Sequence, residues 1–312
     1  MTAARAVVTG LGSAVPEGRL TNADLEARVD TNDQWIVDRT GIRERRVAGP
    51  DDSTASLAAA AGAAAVKDAG LTPDDIGLLV LATTTPDQKL PATSSAVQDL
   101  LGLRCGAFDL TAACSGWVYG LGVAASLVET GRADNVLVVG AEVLSRIVDP
   151  ADRGTSILFG DGAGAGVVAR REGEAGLLSW DTGCDGSLAS ILEVPLGEQH
   201  MHMDGPEVFR RAVRALVDSA NKALAQAGVT AADIDVFVPH QANTRIISAA
   251  ADRLGIPMDR AVLNIERYGN TSAASIPLAL AEADLADGDL VLLSGFGAGM
   301  TWASAVLRWR AS

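Results

Sequence analysis

Aromatic side chains are scarce, at 4% of 312 residues. A core with so few large rings must be built from alanine, glycine and aliphatic side chains, which bring helices and strands close together. Basic residues are outnumbered, 25 Lys and Arg against 39 Asp and Glu, for a formal charge of −14. The field of such a chain repels phosphate, which excludes a general nucleic-acid or anionic-membrane binder; an acidic partner needs a local basic patch. Cysteine is limited to Cys105, Cys114 and Cys184, an odd number without metal-ligand spacing. No disulfide framework is indicated, and a reducing compartment fits. The longest small apolar run, residues 57–66, is mostly alanine and too short to span a bilayer. Residues 1–10 lack a cleavable apolar segment. The expectation is a soluble cytoplasmic protein. Nucleotide fingerprints are missing as well. The glycine run 160–166 leads into a strand and lacks Gly-Lys-Ser/Thr, so it reads as tight hairpin packing and not as a phosphate loop. His200 and His202 would share a strand face, but no third metal ligand accompanies them.

What is present is apolar: 48% hydrophobic against 21% charged residues, enough for a large core. The length suits two fused units of about 150 residues. Runs that read as buried strands (6–10, 76–83, 107–110, 136–140) alternate with helical stretches (31–39, 53–70, 92–101, 115–129). Gly10, Gly12 and Pro16 end the first strand, and the basic run 42–47 reads as partly exposed. The plan then repeats. Residues 69–80 match 227–238, 136–140 match 290–295, and 159–164 match 296–299. The pattern implies an α/β fold of two duplicated units, residues 1–170 and 171–312, with parallel-rich sheets covered by helices.

Three positions carry candidate chemistry. Cys114 lies where the apolar run 107–110 gives way to a helix. Free N–H groups and the helix dipole there favour thiolate, and Ala112, Ala113 and Gly116 leave room for a substrate. The alternative is a buried structural cysteine. His240 ends the strand in V-P-H-Q-A-N, and Asn270 sits in the turn Y-G-N-T-S-A-A-S before another helix. Taken singly they are a core histidine and a turn asparagine. Together, at strand ends of one duplicated frame, they supply a nucleophile and two hydrogen-bonding groups. The glycine-rich turn 295–302 lets backbone N–H groups approach a ligand, as half of an oxyanion hole whose other half is the N–H of Cys114. Arg210, Arg211, Arg214, Arg245 and Arg253 form a basic cluster, with Arg210 and Arg214 on one helix face.

The stretches 33–45 (D-Q-W-I-V-D-R-T-G-I-R-E-R), 112–116 (A-A-C-S-G), 152–154 with 159–164, 239–243, 269–275 and 295–302 resemble one family over nearly the whole chain. It is the β-ketoacyl-acyl carrier protein synthase III family, initiating condensing enzymes of bacterial type II fatty acid synthesis. The resemblance implies a thiolase fold of five layers, αβαβα, usually a homodimer, with no cofactor beyond its substrates. It implies that Cys114 takes an acyl group from acyl-CoA. Malonyl-acyl carrier protein then loses CO₂ and its carbanion attacks the acyl-enzyme. His240 and Asn270 would stabilise the enolate, and the N–H groups of Cys114 and Ala298 the tetrahedral oxyanion. Trp35 and Arg153 would sandwich the CoA adenine, while Thr31, Arg39, Gly205, Phe209, Ala242 and Asn243 would line the pantetheine tunnel. Arg210, Gln241, Ala242, Asn243, Thr244, Arg245 and Arg253 would form the carrier-protein surface. Leu90 stands where family members often carry an aromatic residue closing the acyl pocket across the dimer, so longer or branched starters are expected. The second reading is a starter-unit ketosynthase or acyltransferase of a polyketide pathway. A biosynthetic thiolase would need a cysteine in 295–299, elongating enzymes a second histidine in place of Asn270, and a papain-like protease shows no duplicated α/β pattern.

Overall fold

The computed structural model describes residues 4–311, so the first three positions of the 1–10 segment and Ser312 lie outside it. The first half builds a five-stranded sheet from β1 (Ala4–Ala14), β2 (Leu78–Ala82), β3 (Gly106–Leu110), β4 (Asn135–Glu142) and β5 (Gly162–Glu172). Its order is β1-β5-β4-β2-β3. The second half builds a four-stranded sheet from β6 (Gly176–Cys184), β7 (Val236–Pro239), β8 (Leu290–Gly297) and β9 (Thr301–Arg308). Its order, β6-β9-β8-β7, repeats the first, with two antiparallel pairs followed by a parallel one. A single parallel bridge from Phe237 to Ala261 stands where the first sheet has β3. The duplication read from sequence is therefore a duplication of topology.

The helices longer than five residues among those described are α1 (Asp33–Thr40), α2 (Thr54–Asp68), α3 (Thr93–Leu100), α4 (Gly116–Glu129), α5 (Gly205–Ala227), α6 (Thr244–Leu254) and α7 (Ser275–Ala281), of which α2 to α7 complete the layers. Helices α4 and α7 lie between the sheets. Their core joins Trp117, Leu121 and Leu280 to Val80 and Val138 of one sheet and Val238, Val291 and Leu293 of the other. Helices α2 and α3 cover the outer face of the first sheet, and α5 and α6 that of the second. The order is αβαβα, as expected. Alanine suits α2: Ala58, Ala61 and Ala65 are wholly buried, so this helix lies close on its sheet. Ser53 starts it through a reciprocal capping box with Ser56. Trp117 is fully buried, and its Nε1–H donates to Val138 O at 3.1 Å; truncation to alanine costs roughly 3–5 kcal/mol.

Three local expectations differ from the structure. Gly10 and Gly12 do not end β1, which runs on to Ala14. A Cβ at Gly12 would lie 2.2 Å from Ala65's neighbour Ala61 O, so these glycines admit α2 instead of breaking the strand. The glycine run is no hairpin, because it forms the first half of the buried central strand β5. Strand β3 is not buried: it is the sheet's free edge, and Phe108 is half-exposed. The basic run is partly exposed, as expected, with Arg43 open to solvent, while Ile42 and Arg45 are wholly buried and the Arg45 guanidinium donates to Ile157 O and Asn22 Oδ1.

Candidate active site

Two equivalent turns meet at the interface of the halves. A 3-10 turn, Ala113–Ser115, leads into α4, and its counterpart, Ser272–Ala274, leads into α7. Each opens on a non-glycine residue with positive φ, 45° at Ala113 and 48° at Ser272. Such strain persists where the surroundings fix it and is concentrated at functional sites. Cys114 occupies the first turn. Asn270 precedes the second, and its Oδ1 accepts from Ser272 N at 2.8 Å. The Asn270 backbone is clamped by bonds to Leu158 O and from Gly160 N. His240 follows β7 directly, its N–H held by Ser294 O at 2.8 Å.

Cys114, His240 and Asn270 all line one cavity of about 790 Å³, together with Phe159, Phe296 and Gly297. All three are buried. Burial pushes the Cys114 thiol up to about 12, with the nearby Glu142 charge adding to it and a Ser272 hydrogen bond opposing it. Burial pulls His240 down to about 3. The free site thus holds a neutral thiol beside a neutral imidazole, and desolvation outweighs the thiolate preference expected of a helix start. His240 Nδ1 lies 2.6 Å from Ser275 Oγ, and its ring meets Phe296 edge-on with centroids 5.5 Å apart. A neutral imidazole so held is a hydrogen-bond donor rather than an acid. A Cβ on Gly297 would fall 2.5 Å from Cys114 N, so only glycine lets the 295–302 turn sit against the cysteine.

The outer part of the same cavity carries Trp35, Arg39, Arg153, Gly205, Phe209, Arg210, Ala242, Asn243 and Arg245. Its rim is basic although the protein is acidic. Trp35 lies between guanidiniums, with Arg39 4.2 Å and Arg153 5.0 Å from the ring centroid. An aromatic ring inserted between Trp35 and Arg153 needs about 7 Å, two contacts of about 3.5 Å. Arg153, which donates to Asp30 O at 2.9 Å, must therefore swing aside to admit one.

Other expected positions lie elsewhere. Gln241 is buried, donating to Pro239 O and Val262 O and accepting from Asn264 N and Ile265 N, so it braces the loop and cannot form a docking surface. Ala242 is buried and faces the cavity instead of the exterior. Thr244 Oγ1 is tied to Thr40 O. Asn243 caps α6 through Arg245 N and donates to Arg39 O. Arg253 sits in the last turn of α6, about 12 Å along the helix from Arg245. Arg214 pairs with Asp218, off the cavity. Thr31 and Ala298 do not line the cavity, although the buried Thr31 Oγ1 has no hydrogen-bond partner. Leu90 is 86% exposed. His202 pairs with Glu198, and no group able to hold a metal ion occurs among the described residues. Among those residues no helix is long and apolar enough to cross a membrane.

The sequence reading missed Glu142, Ser272 and Ser275, the buried polar groups beside the three candidates. A signal existed for Glu142, a lone carboxylate closing the apolar run V-L-V-V-G-A.

Comparisons with known proteins agree with this geometry. The family described as 3-Oxoacyl-[acyl-carrier-protein (ACP)] synthase III matches residues 108–186, and its C-terminal counterpart matches 224–309. A curated relative named beta-ketoacyl-acyl-carrier-protein synthase III, from Roseiflexus castenholzii, is 50% identical over 98% of each chain. The crystal structure of 3-oxoacyl-acyl-carrier-protein synthase III from Aquifex aeolicus superposes with a TM-score of 0.95 at 44% identity, covering 97% of this chain and all of that one. The priming β-ketosynthase of the R1128 polyketide pathway superposes with a TM-score of 0.94 at 38% identity, covering 98% of this chain and 96% of that one.

Proposed function

The chain belongs to the 3-oxoacyl-acyl-carrier-protein synthase III family, and from that premise we infer how its residues divide the work. It is a condensing acyltransferase that joins a short-chain acyl-CoA starter to malonyl-acyl carrier protein with loss of CO₂, opening fatty acid synthesis. The observation that carries the assignment of roles is the single cavity, which runs from a basic, aromatic-bearing rim to a buried Cys, His and Asn.

Cys114 is the nucleophile. Its sulfur attacks the thioester carbonyl of acyl-CoA, the C–S bond to CoA breaks, and the acyl group remains on Cys114. The N–H of Cys114, at the start of α4, receives the oxyanion. The burial that keeps the thiol neutral at rest guards it against water and oxidants. After malonyl-acyl carrier protein enters, the carboxylate leaves as CO₂ and negative charge moves onto the thioester oxygen. His240 and Asn270 donate to that oxygen, each donor being worth about 3–4 kcal/mol in a dry site. Neutrality suits His240 to this task, since a hydrogen-bond donor need not surrender its proton. The carbanion then attacks the acyl carbonyl and Cys114 leaves as thiolate.

The exposed arginines of the rim, Arg153, Arg210 and Arg245, fit the acidic groups of CoA and carrier protein. Trp35 supplies the adenine platform once Arg153 has moved. A homodimer is supported by the open edge of β3, beside which Leu90, Leu100 and Phe108 are 86%, 61% and 37% exposed. Pairing of two such edges would cover these side chains and carry Leu90 towards the partner's acyl pocket. The free cysteines suit a cytoplasmic location. A priming ketosynthase of a polyketide pathway is the second reading, supported by the similarity to the R1128 enzyme.

Intact-mass spectrometry with a panel of acyl-CoAs, followed by malonyl-acyl carrier protein, tests the proposal. The expected result is an acyl adduct absent from Cys114→Ala, discharged by malonyl-acyl carrier protein with formation of a ketoacyl product. An adduct that malonyl-acyl carrier protein cannot discharge, or no adduct at all, overturns it.

A further inference from the structure

Glu142 is a fully buried carboxylate at the end of β4, and among the described residues it has no ion-pair partner. Removing a lone carboxylate from water costs several kcal/mol, so its retention beside a reactive sulfur calls for a reason. Its donors are all neutral. Thr85 Oγ1 lies at 2.6 Å, Thr85 N at 3.1 Å, Thr84 Oγ1 at 3.0 Å and Thr83 Oγ1 at 3.3 Å. These come from the loop after β2. Thr84 N, 3.0 Å from Glu142 Oε2, donates from the same loop, and one donor comes from the other half of the molecule: Ser272 Oγ, 3.0 Å from Glu142 Oε1. Ser272 stands in the strained turn packed against that of Cys114, close enough that its hydroxyl works to pull the thiol down. The Ser272 hydroxyl thus stands between the Cys114 turn and the Glu142 carboxylate across the interface of the halves.

The condensing role leaves one proton unassigned. Acylation converts the Cys114 S–H to a thioester, and its proton must reach the departing CoA sulfur. With the thiol held near 12, the thiolate fraction at neutral pH is on the order of one part in 10⁵. His240 is a poor acceptor, being pulled down to about 3 with Nδ1 engaged by Ser275. Glu142 is shifted the other way, raised above the usual carboxylate range by burial. The causes of that shift are burial and hydrogen bonds from neutral groups, with no charged neighbour among them.

We propose that Glu142 is the temporary store for the Cys114 proton, reached through the Ser272 hydroxyl. As the sulfur attacks the acyl carbonyl, the thiol proton passes to Ser272 Oγ and the Ser272 proton passes to Glu142 Oε1. When the C–S bond to CoA breaks, the proton returns by the same two transfers to the CoA sulfur, which at that stage shares a carbon with Cys114 Sγ. Glu142 ends as carboxylate and CoA leaves as thiol, so charge and protons balance. Ser272 touches the reacting atom; Glu142 acts through it as a positioning and proton-holding residue.

The inference rests on the condensing role and is tested separately from it. Glu142→Gln keeps the shape and removes the charge. Two measurements are made on the full-length enzyme: the rate of Cys114 acylation by acyl-CoA at neutral pH, and the pH midpoint of Cys114 alkylation by iodoacetamide. A charge-only role gives a lower midpoint and faster acylation, because the variant lacks the charge that raises the thiol. The relay gives a lower midpoint and slower acylation, by about 100-fold or more. Ser272→Ala, which leaves Glu142 in place, is expected to slow acylation similarly, and it decides the matter should Glu142→Gln fail to fold. Unchanged or faster acylation in a folded variant of either kind overturns the relay. Failure of the unaltered enzyme to be acylated at all overturns the condensing role instead.

Discussion

Removing one hydroxyl, Ser275→Ala, tests how the site sets the tautomer of His240. The imidazole is buried and neutral, so it carries a single N–H. Nδ1 lies 2.6 Å from Ser275 Oγ. When the serine donates to Nδ1, the proton resides on Nε2, the nitrogen left for the cavity. That is the state required to donate to an enolate oxygen. A neutral hydrogen bond of this kind contributes about 1 kcal/mol, and a buried acceptor left without a partner costs about 1–3 kcal/mol. Losing roughly 1–2 kcal/mol of preference for the donating tautomer corresponds to about a 5- to 30-fold fall in decarboxylation. Acylation of Cys114 does not use this donor and is expected to change less than about twofold. Three assays check the chain of reasoning: CO₂ release from malonyl-acyl carrier protein, adduct formation by mass spectrometry, and the ¹⁵N shifts of the ring nitrogens. The two rates are expected to separate, with the variant's ring shifting towards Nδ1–H. Equal decline of both half-reactions, or an Nδ1–H tautomer in the unaltered protein, refutes the assignment.

Because the folded thiol of Cys114 is pushed from 9.0 up to about 12, the unfolded chain loses this proton first. Stability therefore falls as pH rises from about 9 towards 12, by about 2 kcal/mol at about pH 10.5; urea midpoints at pH 8 and 10.5 are expected to differ by that much less in Cys114→Ala. A Cβ at position 297 would lie 2.5 Å from Cys114 N and 2.8 Å from Ala113 Cβ, so Gly297→Ala must move the cysteine turn by about 1 Å. Acylation is expected to drop about 100-fold with little change in Tm, and a near-normal rate would show that the turn is not held there. Leu90→Phe is expected to lower kcat/KM for isobutyryl-CoA relative to acetyl-CoA; an unchanged ratio would remove Leu90 from the acyl pocket.

Much of the molecule is legible in the chain because its causes are local. The capping residues Ser53 and Asn243 and the alternation of apolar runs with alanine-rich stretches set helices and strands, and the repeated segments announce the duplicated sheet plan. Cys114, His240 and Asn270 stand out as reactive or polar groups at ends of apolar runs. The rest depends on what arrives from elsewhere. Strand β3 has the composition of a buried strand, and only its place at the sheet edge leaves it open. Gly12 resembles a strand breaker until α2 packs against it. Gln241 resembles a surface residue until the 262–265 backbone closes over it.

The candidate site divides the same way. Sequence alone determined which atoms are available: one sulfur, one imidazole and one amide, each at a junction where the chain turns into a helix. Their state was decided by tertiary structure. Burial between two halves turns the thiol into a weak acid and the imidazole into a weak base, against what the helix start by itself would favour. Ser275, from one helix, reaches His240, from another strand, and Ser272 of the second half bridges Cys114 and Glu142 of the first. Desolvation and hydrogen bonding act through space, over contacts between residues 35 and 130 positions apart, and no local pattern in the chain encodes those distances.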